Sequence, residues 1–139
     1  MIVRLPKGYQ RLEGITPLAV AHSQVAAAVR DILTRTTLYA WAEGHPERWA
    51  FQGRGPVYSA PLPGGPRLVV RHARRGGLLA PLLRDLYLPP TPAPSELLIS
   101  ALLQHLGVPT PPLLAFATYR AAGILRRVDI ATVEVDGRD

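Results

Sequence analysis

The amino-acid sequence predicts an α+β fold with an antiparallel sheet, and three segments carry this prediction. Residues 57–71 hold two short apolar stretches around a turn signal, which is typical of a β-hairpin. Residues 96–106 have the composition of a helix, and residues 113–135 hold two further apolar stretches around a glycine. With Trp49-Ala50-Phe51 as a first strand, the order strand, strand, strand, helix, strand, strand gives a sheet of about five strands.

An N-terminal extension, residues 1–44, precedes this predicted domain, which spans residues 45–139. Residues 2–5 predict a short strand. Thr16-Pro17 is a typical helix start, a capping hydroxyl followed by a proline at the first helical position. Apolar residues then recur at helical spacing, namely Leu18, Ala21, Val25, Val29, Ile32 and Leu33. The sequence therefore predicts an extra N-terminal helix that packs on the core, or on a membrane surface, by one apolar stripe.

The first hairpin of the main domain is the most clearly marked. The turn Pro63-Gly64-Gly65-Pro66 separates a strand over residues 57–62 from the β-branched stretch Leu68-Val69-Val70, which ends in Arg71. The later elements follow in chain order: a short helix over 77–88, an extended proline-rich linker over 89–94, a helix over 96–106 capped by Ser95 and ended by Gly107, and strands over 113–119 and 124–135.

Length and composition restrict the possible classes of protein. With 139 residues, 47% apolar and 19% charged, the chain is long enough for one globular domain. It has no cysteine, which excludes disulfides and thiolate metal sites, and its four histidines lack ligand-like spacing, so no metal site is expected. The apolar runs are well short of the roughly 18 residues of a membrane span, and the start lacks the apolar core of a signal peptide. A cytoplasmic location is therefore predicted.

The basic residues favour an anionic partner. Of the 16 basic residues only Lys7 is a lysine, and the formal net charge is +6. Arginine presents a planar, permanently charged group that suits phosphate. The charge alone does not choose among a nucleotide, an anionic lipid head group and a nucleic acid. A genomic composition bias or a heat-adapted source is an alternative explanation of the arginine excess.

Two features around the first hairpin favour phosphate binding. Gly53-Arg54-Gly55 follows the apolar run 49–51, and glycines allow a backbone to lie close to a ligand, although Pro56 offers no N–H donor. A plain turn between two strands is the alternative. Beyond Arg71, the side chains of Arg74, Arg75 and Arg84 make a basic region that would meet phosphate groups, or would simply be solvated.

The segments 71–78, RHARRGGL, and 82–88, LLRDLYL, resemble the bacterial lipopolysaccharide core kinases, in particular the kinases of 3-deoxy-D-manno-octulosonic acid (Kdo). That family has a protein-kinase-like fold and phosphorylates a core sugar from ATP. The resemblance keeps its order from about Gly53 to the C-terminus and includes Gly107-Val108-Pro109-Thr110-Pro111. It implies that residues 45–139 are the smaller, N-terminal lobe of such a kinase.

The resemblance also implies roles for individual residues. Arg71 occupies the position of the third-strand lysine, Glu96 that of its carboxylate partner on the C-type helix, and Val69 that of a residue packed on adenine. Gly53, Arg54 and Gly55 would cover the phosphates, and Val133-Glu134-Val135 would be the hinge that bonds the adenine edge through its backbone. As a structural alternative, Glu96 is a first-turn acid that the helix dipole stabilises by about 0.3–1 kcal/mol.

The implied cofactors are ATP and Mg²⁺, with a lipopolysaccharide core or lipid A acceptor, at the inner face of the membrane. The catalytic and magnesium-binding acids of the family lie in the larger lobe and have no counterpart here, so the chain alone is expected to be inactive. The predicted function is a partial lipopolysaccharide core sugar kinase acting on Kdo or heptose. The alternatives are a non-catalytic lobe that binds a nucleotide or a partner and, less favoured for want of aromatic residues in the basic run, a nucleic-acid-binding module.

Overall fold

The computed structural model describes residues 5–15, 17–51, 56–72, 86–87, 93–122 and 125–134. These form eight strands and three helices, in the order β1 (Tyr9–Arg11), β2 (Leu18–His22), α1 (Ala26–Leu33), α2 (Leu38–Glu43), β3 (Trp49–Phe51), β4 (Val57–Pro61), β5 (Arg67–His72), β6 (Leu86–Tyr87), α3 (Ala93–His105), β7 (Leu113–Ala122) and β8 (Leu125–Val133).

All strands belong to one antiparallel sheet. Its order is β1-β2-β7-β8-β5-β4-β3, and β6 adds to the sheet by pairing with β8. The predicted α+β class with an antiparallel sheet is confirmed, but the predicted count of about five strands was too low. The N-terminal segment supplies two of the additional strands, β1 and β2, and β2 pairs with β7 from Leu18 opposite Thr118 to Ala21 opposite Ala115. The short β6 is the third.

The larger part of the core lies on the face of the sheet that α1 and α2 cover. Alternate residues of the strands point to this face, among them Leu68 and Val70 of β5. Val29 and Ile32 of α1 and Leu38 of α2 belong to the same core cluster and are almost fully buried. Small residues in β2, β7 and β8, mostly alanines, let the two helices approach the sheet closely.

The opposite face carries a smaller core beneath α3. Leu97 of α3 packs with Phe116 of β7 and with Val128 and Ile130 of β8, and all four are buried. This cluster covers the face at β2, β7 and β8. Farther along the same face, toward β3, Val57 and Val69 are only partly buried and Trp49 and Phe51 are exposed. We call this uncovered part of the sheet the open face.

The predicted helix from Thr16-Pro17 was wrong in its first half. Residues Leu18–His22 form β2, and the helix begins only at Ala26. The strand lies between β1 and β7 with Ala19, Val20 and Ala21 buried on both faces of the sheet. A strand buried on both faces is apolar throughout, so its pattern does not distinguish it from a buried helix. The second helix, α2, was not predicted, although Thr37 caps it by accepting a hydrogen bond from the Ala40 N–H at 3.1 Å.

The helix that the sequence placed at 96–106 begins earlier, at Ala93, so Pro94 lies in its first turn rather than in a linker. Proline is tolerated there because first-turn N–H groups have no intrahelical acceptor. The predicted end at Gly107 is confirmed by its φ of 77° and by the hydrogen bond from the Val108 N–H to the Leu103 carbonyl at 2.9 Å. Of the predicted helix over 77–88 and the linker over 89–94, only Leu86–Tyr87, which is strand, and residues 93–94 are described.

The other predicted strands are present with small shifts of their ends, and the turn at 63–66 joins β4 to β5 with Gly64 at a φ of 66°. The predicted strand over 2–5 lies outside the described residues apart from Leu5, which is not in a strand. Among the helices of the described ranges, none combines the length and the apolar character that crossing a membrane requires.

Candidate functional site on the open face

Strand β5 carries Arg71 to the open face. Leu68 and Val70 point into the helix-covered core, so the alternation of a strand places Arg67, Val69 and Arg71 on the opposite side. The β-branched residues Val69 and Val70 favour this extended backbone because their branched Cβ atoms pack well on a pleated sheet.

Arg71 forms an ion pair with Glu96 at the end of the open face that α3 borders. The distance from Arg71 Nη2 to Glu96 Oε1 is 2.9 Å. Glu96 comes from the first turn of α3, where the helix dipole also favours a carboxylate. The two side chains are 41% and 36% exposed, so the pair is open to solvent on one side and available to a ligand. The pairing that the sequence predicted is therefore present, and its role in binding stays a prediction.

Rows of side chains run from Arg71 and Val69 across the sheet. Val69 is paired with Ser59 of β4 on one side and with Thr132 of β8 on the other, and Trp49 of β3 lies beyond Ser59. Directly paired residues of antiparallel strands point to the same face. The row therefore runs across the open face from the exposed Trp49 at the edge strand to Thr132, with Ser59 fully buried within it. Arg71 follows Val69 on the same face and lies next to Glu96.

A cavity of about 230 Å³ lies behind the ion pair, between α3 and the sheet. Its lining includes Arg71, Glu96, Ser100, Leu103 and Thr132. Its lining is largely apolar, so it could accept an uncharged part of a ligand whose charged part faces the ion pair.

Glu134, the predicted hinge residue, is engaged within the protein. Its N–H donates to the Arg67 carbonyl at 3.0 Å, and the N–H of Val133 donates to the Pro112 carbonyl at 3.0 Å. Its side chain accepts a hydrogen bond from the Ser59 hydroxyl and lies 3.6 Å from Arg67 Nε. The backbone N–H groups of these two residues are thus already used in the sheet, and an adenine edge would have to meet carbonyl oxygens or residue 135, which lies outside the described residues.

Arg67 connects several residues at this edge of the open face. Its guanidinium lies 4.2 Å from the centre of the Trp49 ring, a cation–π contact, and one of its nitrogens donates to the Glu47 carbonyl at 2.8 Å. The sequence analysis did not single out Arg67 or Trp49. The pairing register brings them together, and no local motif marks it.

The predicted phosphate-covering residues Gly53, Arg54 and Gly55 lie outside the described residues, as do Arg74, Arg75 and Arg84. The strands before and after these residues, β3 and β4, are described, and they are paired from Trp49 opposite Ser59 to Phe51 opposite Val57. These two strands lie at the edge of the open face.

A polar cluster that the sequence analysis missed lies on the other face of the sheet, between β5, β7, β8 and α2. The carboxylate of Asp129 is almost fully buried, and it lies 2.7 Å from His72 Nδ1 and accepts from the Tyr39 N–H at 3.0 Å. The Tyr39 ring stacks on His72 with centroids 3.8 Å apart, and its hydroxyl donates to the Pro56 carbonyl at 3.0 Å. An acid inside the apolar stretch 124–135 was the available signal for this cluster.

Tyr119 completes the cluster. Its hydroxyl accepts a hydrogen bond from the Leu38 N–H at 3.0 Å and interacts with the Asp129 carboxylate. Burial, reinforced by the negative charge of Asp129, raises the pKa of Tyr119 well above its usual value of 10. Because this cluster fixes α2 to the sheet and reaches Pro56, it positions the start of β4.

The described part of the chain brings together no group of three His, Asp or Glu side chains that could hold a metal ion. On the open face it brings together the Arg71–Glu96 ion pair and the partly buried Val57 and Val69. Comparisons of the chain with models of protein families, with curated proteins and with solved structures find no match.

Proposed function

We propose that the open face binds the nucleoside triphosphate of a kinase, as the smaller lobe of a lipopolysaccharide core sugar kinase would. The observation that carries the proposal is the ion pair of Arg71 and Glu96, at 2.9 Å, on an uncovered face of the sheet. A carboxylate on the following helix that orients a third-strand cation is the arrangement by which protein kinases hold the phosphates of ATP.

The chemistry of the pair supports phosphate binding. A guanidinium has five N–H donors in a fixed plane, and one bond to Glu96 leaves others that can face two oxygens of a phosphate. The carboxylate restricts the orientation of the long arginine side chain, so less side-chain conformational entropy is lost when a ligand binds. Glu96 thus acts as a positioning residue for Arg71.

The apolar residues beside the pair support the binding of a base. Val57 and Val69 lie on the open face between the exposed aromatic residues of β3 and the partly buried Thr132 of β8. Apolar side chains of this kind cover the face of a planar ring. The order of elements from β3 to β8, with α3 between β5 and β7, also follows the order strand, strand, strand, helix, strand, strand of the kinase lobe, although β6 adds one short strand.

Phosphoryl transfer needs Mg²⁺ and a carboxylate that accepts the proton of the sugar hydroxyl. Mg²⁺ would neutralise charge on the phosphates, and the described residues offer no acidic cluster for it. The residues of this chain would bind and orient the nucleotide, while a larger lobe would supply the acids, so we expect no sugar phosphorylation by the isolated chain. A core sugar acceptor, a cytoplasmic location and contact with the inner face of the membrane belong to the same proposal.

Nucleotide binding tests the proposal directly. A titration of the chain with a fluorescent ATP analogue should show saturable binding. ATP should displace the analogue, and inorganic phosphate should not displace it at the same concentration. The Arg71→Ala variant should bind about tenfold or more weakly, because a charge-assisted contact to phosphate contributes roughly 1.5–3 kcal/mol. Glu96→Gln should have a smaller effect, since Arg71 itself is retained.

Arg35→Ala is the matched control, because it removes an arginine that is also ion-paired but follows the C-terminal end of α1, away from the open face. It should bind the analogue like the unaltered chain. The proposal fails if binding does not saturate, or if Arg71→Ala and Arg35→Ala have the same affinity. The chain can also be mixed with a separately produced larger lobe of such a kinase. Nucleotide binding that depends on Arg71, without any ATP turnover in this mixture, would favour the non-catalytic alternative.

A further inference from the structure

A second cavity, of about 560 Å³, lies at the other end of α3. One wall comes from the N-terminal strands and their flanking turns, with Lys7, His22 and Gln24, and the other from the C-terminal half of α3, with His105. None of its lining residues also lines the cavity behind Arg71 and Glu96. It is therefore a separate feature, and its argument does not depend on the proposed nucleotide site.

The cavity is built by tightly ordered backbone. Tyr9 and His22 are paired between β1 and β2, and their rings meet edge to face with centroids 5.0 Å apart. The Tyr9 hydroxyl donates to the carbonyl of Leu113 at the start of β7, which ties the N-terminal wall to the floor. The Gly8 carbonyl accepts from the Ser23 N–H at 2.8 Å, which holds the turn that carries Lys7. The wall is thus part of the sheet and is in place before any ligand binds.

His22 has a defined hydrogen-bonding role in this wall. Its Nδ1 atom accepts a hydrogen bond from the Gln24 N–H at 3.0 Å, so in the neutral ring the proton is on Nε2, which becomes a donor. A Cβ atom at Gly8 would lie 3.0 Å from Nε2, and Gly8 has a φ of 91°. Glycine at this position therefore satisfies the left-handed backbone and also leaves the space beside the donor open.

The polar side chains of the lining include several hydrogen-bond donors. The ammonium of Lys7, the imidazoles of His22 and His105 and the amide of Gln24 come from four different elements or turns, the amide of Gln104 and the Tyr9 hydroxyl also line the cavity, and no Asp or Glu is among the lining residues. Ala101, Pro112 and Leu114 provide an apolar surface between them. A cavity of this size with several hydrogen-bond donors around apolar surface is typical of sites for small organic molecules.

The geometry points to a second ligand site, which binds a small phosphate monoester through Lys7, His22 and His105 and packs its organic part on the apolar surface. A phosphate monoester offers three terminal oxygens, which match several donors from different directions, and lysine is a common phosphate ligand as a compact charge. Inorganic phosphate would use the donors alone and leave the apolar surface exposed, so the structure favours the organic ester.

A titration followed by two-dimensional ¹H–¹⁵N NMR tests this site with three probes: phenyl phosphate, inorganic phosphate and phenol. Phenyl phosphate should shift the amide signals of residues 7–9, 22–24 and 104–106 with saturation. Inorganic phosphate should shift the same signals with lower affinity, and phenol should not saturate them. Lys7→Ala and His105→Ala should each weaken binding about two- to fivefold, as expected for partly solvated charge contacts.

Arg11→Ala is the control, because Arg11 is an exposed cation on β1 that does not line the cavity. It should leave the affinity for phenyl phosphate unchanged. Shifts that map elsewhere, or an equal loss of affinity in Arg11→Ala and Lys7→Ala, would overturn the site. Equal affinities for phenyl phosphate and inorganic phosphate would overturn its assignment to an organic ester.

Discussion

Arg71 and Glu96 are 25 residues apart in the chain, and the sequence suggested their pairing only through the order of motifs around them. The structure brings them to 2.9 Å but leaves both side chains more than a third exposed. Water therefore screens the pair, and its value for stability is small compared with its value in orienting a phosphate ligand.

A double-mutant cycle on Arg71→Ala and Glu96→Ala should give a coupling free energy of about 0.5–1 kcal/mol for unfolding in urea. The control cycle uses Asp31 and Arg35, whose side chains are 70% and 60% exposed and lie 2.9 Å apart at the C-terminal end of α1. That pair should couple by only about 0.3–0.5 kcal/mol. Strict additivity of the Arg71 and Glu96 changes would mean that Glu96 is no more than a favourable first-turn acid.

Tyr119 should make stability depend on pH in alkaline solution. Its pKa is raised in the folded protein by burial and by Asp129, so above about pH 10 the unfolded chain loses this proton while the folded protein keeps it. The stabilisation is fully present below pH 10 and is lost as the pH rises, by about 1.4 kcal/mol per pH unit for one group. Tyr9, whose pKa burial also raises, adds to the same trend.

Urea unfolding of the unaltered chain and of Tyr119→Phe at pH 9 and pH 11 measures this effect. The free energy of unfolding should fall less between the two pH values in Tyr119→Phe, because that variant lacks the linked proton. An equal fall in both proteins would show that Tyr119 ionises as readily in the folded state as in the unfolded chain.

At the scale of elements, α3 shows how one helix serves two purposes. Its inner face, with Ala93 and Leu97, covers the smaller core, and its first turn presents Glu96 to Arg71. Its outer face is also apolar, with Leu98 and Leu102 about half exposed. A helix that is apolar on all sides is normally covered on all sides, so its burial could not be predicted from periodicity alone.

The position of α3 on the sheet should depend on Leu97. Leu97→Ala removes a buried side chain and should lower the free energy of unfolding by about 2–5 kcal/mol, whereas Leu98→Ala on the same helix should change it by less than about 0.5 kcal/mol. Urea unfolding of both variants provides the comparison. Similar losses in the two would contradict the packing of α3 described above.

The elements that could be predicted are those whose signals are local. The turn at 63–66 and the helix end at Gly107 depend on glycines with positive φ and on nearby prolines, and both were recognised. The strand Leu18–His22 and the cluster around Asp129 depend instead on partners far along the chain, since Tyr39 is 90 residues from Asp129. Composition does not specify which residues of two strands are paired. For the same reason the cation–π contact between Arg67 and Trp49 was not predicted.

For the whole molecule, the notable contrast is between a net charge of +6 and an exposed apolar surface on and beyond α3. The surface consists of Leu98, Ile99, Leu102, Leu106 and Val108, which are 40% to 64% exposed. Contiguous apolar surface favours association, while like charge on each molecule opposes it. The balance between the two should therefore depend on ionic strength.

We predict that the molar mass measured by light scattering rises when NaCl is increased from about 0.01 M to about 1 M, because the Debye length falls from about 30 Å to about 3 Å and charge repulsion is screened. The variant with Leu102→Glu and Leu106→Glu should remain at the monomer mass at both salt concentrations. The control variant, with Gln10→Glu and Thr36→Glu, makes the same change in net charge at exposed positions away from α3 and should associate like the unaltered chain. If both variants stay monomeric at high salt, net charge and not the apolar surface of α3 governs association. If the unaltered chain stays monomeric at every salt concentration, the apolar surface of α3 does not drive association.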